Sequence, residues 1–337
     1  MPDLLTISNN VPSGDAALSF KHLRQEISDR IKPLIDELPF ALLDFPDHSN
    51  VGDSAIWLGE TSFFDDHAQR PAYVSNLKTH VSNQMEQAIG QGTIFLHGGG
   101  NFGTIWKSHQ DFRIELLSRF PDQRIIQLPQ SIYFDNYDAV DETARAIEKH
   151  GNFTLFVRDQ RSLEFARCHF QCEVFLCPDM AFYMEPLERQ MPVQDFYYLM
   201  RTDFERSIMG KASHPGHSVK IGDWLTEDRL QMKMASAASK LMDFGQSPDT
   251  ARAMKYDRLA QTRLKRGIGL LSSGRVVVTD RLHGHILSTL LAIPHVTLDN
   301  SYGKLQNFIQ AWTSDVPFMR TAETLEEAQS LAEGLFS

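Results

Sequence analysis

The stretch Thr93-Ile94-Phe95-Leu96-His97-Gly98-Gly99-Gly100-Asn101-Phe102-Gly103 decides the fold. Its apolar start is too short for a helix and continuous enough to be a strand buried on both faces. Glycines follow at once, and Thr104 to Phe120 then carries apolar residues at three- and four-residue spacing. Strand, glycine-bearing turn and helix in that order form the repeating half-unit of a parallel sheet. The same grammar recurs outward in both directions. Strands are expected at Phe40 to Phe45, Ala72 to Leu77, Arg124 to Leu128, Phe153 to Val157 and Glu173 to Cys177, then at Phe196 to Met200, Arg275 to Thr279 and His295 to Asp299. Helical spacing marks Asp15 to Leu38, Ala139 to His150, Gln160 to His169 and Glu227 to Phe244. The fold class is α/β with parallel sheets. Pro186 and Pro192 punctuate Glu185 to Asp195, which predicts a first domain over residues 1–186 and a second over 187–337. Residues Ser207 to Gly222 read as a mobile lid or an insertion.

Length and charge narrow the function. The 337 residues suffice for two domains, and 42% hydrophobic with 23% charged residues is ordinary globular usage. A formal charge of -10 disfavours a general nucleic-acid binder, so any anionic ligand must be met by local cations. Cys168, Cys172 and Cys177 crowd into ten residues, which fits free thiols in a reducing compartment better than a disulfide framework. Neither a secretory leader nor a membrane-spanning stretch is evident, and the expected location is the cytoplasm. Arg252, Lys255, Arg258, Arg263, Lys265 and Arg266 make one segment basic; a solvated helix face is the first reading, and peripheral contact with an anionic membrane is the alternative.

Polar, glycine-bearing clusters follow the strands, where ligands of open parallel sheets bind. Gly98, Gly99 and Gly100, followed by Asn101, allow backbone amides to approach an anion or a sugar, although a tight turn alone also explains them. The spacing is neither a dinucleotide fingerprint nor a phosphate loop ending in Gly-Lys-Ser/Thr. Asp280, Arg281, Leu282, His283 and His285 stand at a strand-to-helix junction. There Arg281 can clamp a phosphate or carboxylate and His283 can donate a proton near neutral pH. The structural alternative makes Asp280 a helix cap, Arg281 half of an interdomain ion pair and His285 a core histidine. Asn50 and Asp53 bring a carboxylate to a strand end, as a general base or as a cap. Arg158, Arg201 and Lys304 follow other strands and can neutralise a small, multiply charged substrate. No metal site is expected: the cysteines with His169, and the pair His214 and His217, lack a second set of ligands at suitable spacing.

Taken in order, the motifs resemble the polysaccharide pyruvyl transferase family. They are Asn50-x-Gly52-Asp53, His97 through Gly103, Gln127-x-Pro129-Gln130-Ser131, Arg158-Asp159 with Ser162, Cys177-Pro178-Asp179, Asp280 through His285, and Asp299-Asn300-x-Tyr302-Gly303-Lys304. The resemblance spans roughly Asn50 to Phe308 and is most similar to bacterial exopolysaccharide members. It implies two Rossmann-like domains in the B-type glycosyltransferase arrangement, with the acceptor on the first domain and the donor on the second. Phosphoenolpyruvate would be the co-substrate, no other cofactor is needed, and the product would be a pyruvate ketal across two sugar hydroxyls. The acceptor would be a sugar or glycan, free or lipid-linked, met in the cytoplasm or at the inner membrane face. Arg281, Leu282 and His283 match the family's donor-binding and catalytic motif, with Arg158 as a second donor arginine. In that scheme His283 is the acid, Asp53 or Asp280 the base, and Arg158 with Arg281 the clamp, helped by the Gly98 to Gly100 amides and Lys304. A nucleotide-sugar glycosyltransferase and a non-catalytic glycan- or anion-binding subunit remain alternatives, and the oligomeric state stays open.

Overall fold

In the computed structural model, the chain is described over residues 14–184, 186–202, 214–228, 230, 232–234, 236–237, 245–299 and 304–336. Two parallel sheets account for the strands. The first runs β2 (Tyr73–Ser75), β1 (Ala41–Leu43), β3 (Ile94–Leu96), β5 (Ile125–Tyr133), β6 (Phe153–Val157) and β7 (Glu173–Leu176), with β4 (Gly99–Gly103) also paired to β5. The second runs β12 (Met319–Ala322), β11 (His295–Leu298), β10 (Gly274–Thr279), β8 (Gln194–Leu199) and β9 (Val219–Gly222). The pairings in both are parallel, as the buried apolar runs require. This is the α/β architecture of two Rossmann-like sheets.

Four local expectations are corrected. The glycine run is not only a turn: Gly99–Gly103 lies alongside β5, Gly99 opposite Gln130, so the next helix, α4 (Lys107–Arg119), starts later than the periodicity implied. Strand β5 continues through Pro129 because the register shifts between Gln127 and Gln130, the sort of irregularity where a proline without an N–H is tolerated. Helix α1 (Gly14–Ile31) stops before the expected Leu38, since Pro33 sits in a short 3-10 turn, Lys32–Leu34. Part of the presumed lid is strand β9, held by Phe196 opposite Val219; residues 203–213 lie outside the described residues, as does much of the helix expected over Glu227 to Phe244.

Helix α2 (Val51–Asp66) joins the halves. Asn50 caps it by accepting from the Gly52 amide, and its residues are buried nearly all round because it lies between α7 (Pro248–Ser272) and the turn Met180–Tyr183. Trp57 Nε1 donates to Asp257 at 2.8 Å and Phe45 stacks on Tyr256 at 4.0 Å, so one continuous core contains both Leu42 of the first sheet and Val277 of the second. The basic segment expected as a solvated face is this same α7. Arg263 donates to Pro46 O, Asp47 and Glu227, and Arg266 to Glu227 and the Trp224 carbonyl, which turns both guanidiniums into the seam. Among the described residues no helix is long and apolar enough to cross a membrane.

Candidate active site

The seam places residues from both sheets against one another. Gly52, in the first turn of α2, has no side chain because His283 occupies that space: a Cβ there would stand 2.4 Å from the His283 ring. His283 opens the helix α8 (Leu282–Leu290) that follows β10. One turn of α2 therefore seats His283 of the opposite half. Asp53, next in sequence, is partly open to the cleft, receives Asn50 Nδ2 at 2.7 Å and lies 3.6 Å from His48 Nε2. Burial pushes its carboxyl up, but the fields of His48, His283, His97 and Arg158 outweigh it and hold the pKa below the ordinary carboxylate value.

Arg158 follows β6 and lies buried behind β4. Its Nε donates to Ser131 Oγ at 3.0 Å and its Nη1 to Asp179 Oδ2 at 2.6 Å. Among the described residues Nη2 has no acceptor, and it lies 3.2 Å from where a Cβ on Gly100 would be. A bulkier residue than glycine would fill the space in front of that N–H pair. Asp179 also faces His283, whose Nε2 is 3.4 Å from Oδ2, too poorly aligned for a hydrogen bond, so that buried nitrogen has no partner. Burial alone would raise the Asp179 pKa, yet His283 and Arg158 drive it well below the usual range, so the group is a carboxylate at neutral pH.

The remaining residues of the second half are placed differently. Arg281 makes a two-point ion pair with Asp223, Nε and Nη2 each at 2.7 Å, and lies over the Trp224 ring. Arg281 is ion-paired, though with Asp223 of its own half rather than across the domains as the structural alternative expected, and Asp223 is engaged by Thr202 and the Trp224 amide as well. Asp280 is not a helix cap, since Arg281 occupies that position. Its Oδ1 accepts from the Arg201 amide at 2.8 Å while Oδ2 is buried without a partner, and burial pushes its pKa up to about 6. Leu282 packs against the core. Lys304 starts α9 (Lys304–Trp312), while Asn300, Tyr302 and Gly303 lie outside the described residues. His285 is a core histidine: it bonds His295 and Thr313, each at 2.8 Å, and burial keeps its pKa well below the ordinary value.

On the first half, one amide of the glycine turn is taken by a side chain. The Gly98 amide donates to Glu60 Oε1 at 2.8 Å, and Glu60 Oε2 holds His97 Nδ1 at 2.8 Å. The Asn101 amide donates to Gln130 Oε1, while its side chain reaches Asp44 Oδ2 and accepts from Arg113 and Gln130. Sequence reading missed Asp44, His48, His97, Glu60, His109 and Asp179 as a group. Only His97 and Asp179 lay inside quoted motifs, and neither was singled out there; the rest come from elements far apart in the chain.

Two parallel sheets meet at a polar, charge-bearing seam near their strand ends, where proteins of α/β architecture bind their ligands. The sequence pattern of the family described as polysaccharide pyruvyl transferase matches residues 50–302, and the chain belongs to that family. Pyruvyl transferase 1 of Schizosaccharomyces pombe is 33% identical over 81% of this chain and 69% of its own length. EpsO of Bacillus subtilis, named as a candidate pyruvyl transferase, is 30% identical over 92% of this chain and 98% of its own length. A solved structure of a functionally uncharacterized protein from Klebsiella pneumoniae shares the fold, with a TM-score of 0.61 and 19% identity over 90% of this chain and 99% of that one. The protein is a transferase.

Proposed function

We propose that the donor is phosphoenolpyruvate and that the product is a pyruvate ketal across two hydroxyls of a sugar residue, made during exopolysaccharide synthesis. The observation that carries this reading is the Arg158–Asp179–His283 cluster, in which an unfilled guanidinium N–H pair and an unpartnered imidazole nitrogen face one seam. Arg158 Nη2 holds an anionic group of the donor. His283 Nε2 delivers a proton to the donor's methylene carbon, which leaves positive charge on the adjacent carbon for a hydroxyl to attack. Asp179 stabilises the protonated ring and Gly52 fixes its position. Asp53 is the better placed base, being partly exposed and close to His283, whereas Asp280 is buried. Arg281 supports α8 through Asp223 rather than gripping the donor in this state. The scheme needs no cofactor beyond the donor.

The test is to incubate the protein with phosphoenolpyruvate and a panel of glycosides, following phosphate release and the mass of the sugar. Stoichiometric phosphate and a sugar heavier by one pyruvyl ketal support the reading. Label entering the glycan from a nucleotide sugar instead would overturn it.

A further inference from the structure

Asp44 and His109 form a second acid–base unit that the scheme above does not use. Asp44 follows β1 directly, is buried, and adopts a φ of 70°, a left-handed conformation that few residues other than glycine tolerate. The bend turns its carboxylate toward the first turn of α4, where His109 Nδ1 lies 2.9 Å and 2.8 Å from its two oxygens. Asn101 Nδ2 steadies the carboxylate by donating to Asp44 Oδ2 at 3.2 Å. Arg113, whose Nη2 donates to Asn101 Oδ1, backs the network from below. Since Nδ1–H is spent on the carboxylate, the lone pair of the neutral ring is on Nε2, and that atom has no partner among the described residues while the side chain keeps 16% exposure. An imidazole oriented and polarised by a buried carboxylate, with its far nitrogen free, is the arrangement of a general base.

The unit belongs to the same rim as the cluster. Asn101 adjoins Gly100, the residue facing Arg158 Nη2, and His48 lies within electrostatic reach of both His109 and Asp53. Ketal formation releases protons from two hydroxyls, and beside the Arg158–Asp179–His283 cluster Asp53 is a base for one of them, which leaves the other to a second group. Resting on the proposed ketal-forming reaction, we propose that His109 Nε2, paired with Asp44, accepts the proton of an attacking acceptor hydroxyl. The donor's double-bond electrons take a proton at the methylene carbon, making it methyl, as the hydroxyl oxygen bonds to the neighbouring carbon and its proton passes to His109. The bond to the phosphate oxygen then breaks with its electron pair going to phosphate, and the second hydroxyl oxygen closes the ring. Of the two hydroxyl protons, one balances the proton gained by the methyl group and the other leaves as hydrogen phosphate.

The experiment compares wild type, His109→Ala and Asp44→Asn with phosphoenolpyruvate and a glycoside that wild type pyruvylates. His109→Ala is expected to lower kcat by roughly 10²- to 10⁴-fold with donor KM changed less than about threefold, and added imidazole is expected to restore part of the rate. Asp44→Asn, whose side chain tolerates the same backbone, reverses the hydrogen bond at Nδ1 and is expected to cut kcat by about tenfold or more. An unchanged kcat in His109→Ala, or a loss that imidazole does not relieve while the variant melts like wild type, overturns the base assignment and leaves the ketal reading standing. Absence of wild-type turnover with every glycoside removes the ketal reading, and the His109 assignment falls with it.

Discussion

Arg158 and Arg281 carry the same group and end in ion pairs of similar length, yet they do different work. The Arg281 fork is matched by both oxygens of Asp223, which in turn accepts from the Thr202 and Trp224 amides, so the pair is a closed unit bracing the start of α8. Arg158 spends Nε on Ser131 and Nη1 on Asp179, keeps Nη2 open beside Gly100, and shares its carboxylate with His283. An arginine is thus read by what its partner still faces, not by the pairing itself. A saturated pair stabilises a wall; a shared one holds charge where a ligand can use it.

The comparison is broken or sharpened by variants of unequal consequence. His283→Ala is expected to lower ketal formation by roughly 10²- to 10⁴-fold, with a fall in melting temperature of only a few degrees from the space emptied against Gly52, checked by assaying well below the transition. Arg158→Lys cannot reproduce the fork, and loss of a charge-assisted bond of about 1.5–3 kcal/mol is expected to raise donor KM by roughly 10- to 100-fold. Arg281→Lys is expected to show the reverse pattern, a lower melting temperature with donor KM little changed in steady-state assays run well below the transition. Equal shifts in donor KM for both lysine variants would erase the distinction. Gly52→Ala forces the His283 ring aside, since the new Cβ would stand 2.4 Å from it, and is expected to cost about 1–3 kcal/mol in stability together with a fall in kcat.

The smallest effects are in pH. Burial holds the His285 pKa well below 6.5 and that of His295 at about 4, so the unfolded chain binds more protons as pH falls from 6.5 toward 4. That pair therefore destabilises the fold on acidification. Asp280 acts with the opposite sign: its pKa is raised to about 6, so between about 6 and 3.8 the folded chain binds the extra proton and gains stability as pH drops. Asp280→Asn is accordingly expected to raise the melting temperature at pH 8 and to have a smaller effect at pH 5, read by calorimetry at both pH values.

Much of the fold was legible because parallel strands buried on both faces announce themselves as apolar runs, and β6 and α6 (Gln160–His169) fall on the ranges the pattern predicts. Strands β9 and β12 were missed because Val219–Gly222 and Met319–Ala322 are four-residue edge strands in which polar residues interrupt any apolar run. The site was partly legible for the same reason that it was incomplete. Strand ends label Asp53, Arg158 and His283, but pairing is a matter of three dimensions: no spacing links Asp44 to His109 across 65 residues, or Asp223 to Arg281 across 58. In the glycine turn the first amide is taken by Glu60, two turns into α2, a partner that no local spacing announces.

The most direct measurement is a crystal structure of the protein with phosphoenolpyruvate bound. The account predicts an anionic group of the donor on Arg158 Nη2, the methylene carbon against His283 Nε2, and the Arg281–Asp223 pair intact. A donor seated on Arg281 with Asp223 displaced, and with Arg158 untouched, would contradict it.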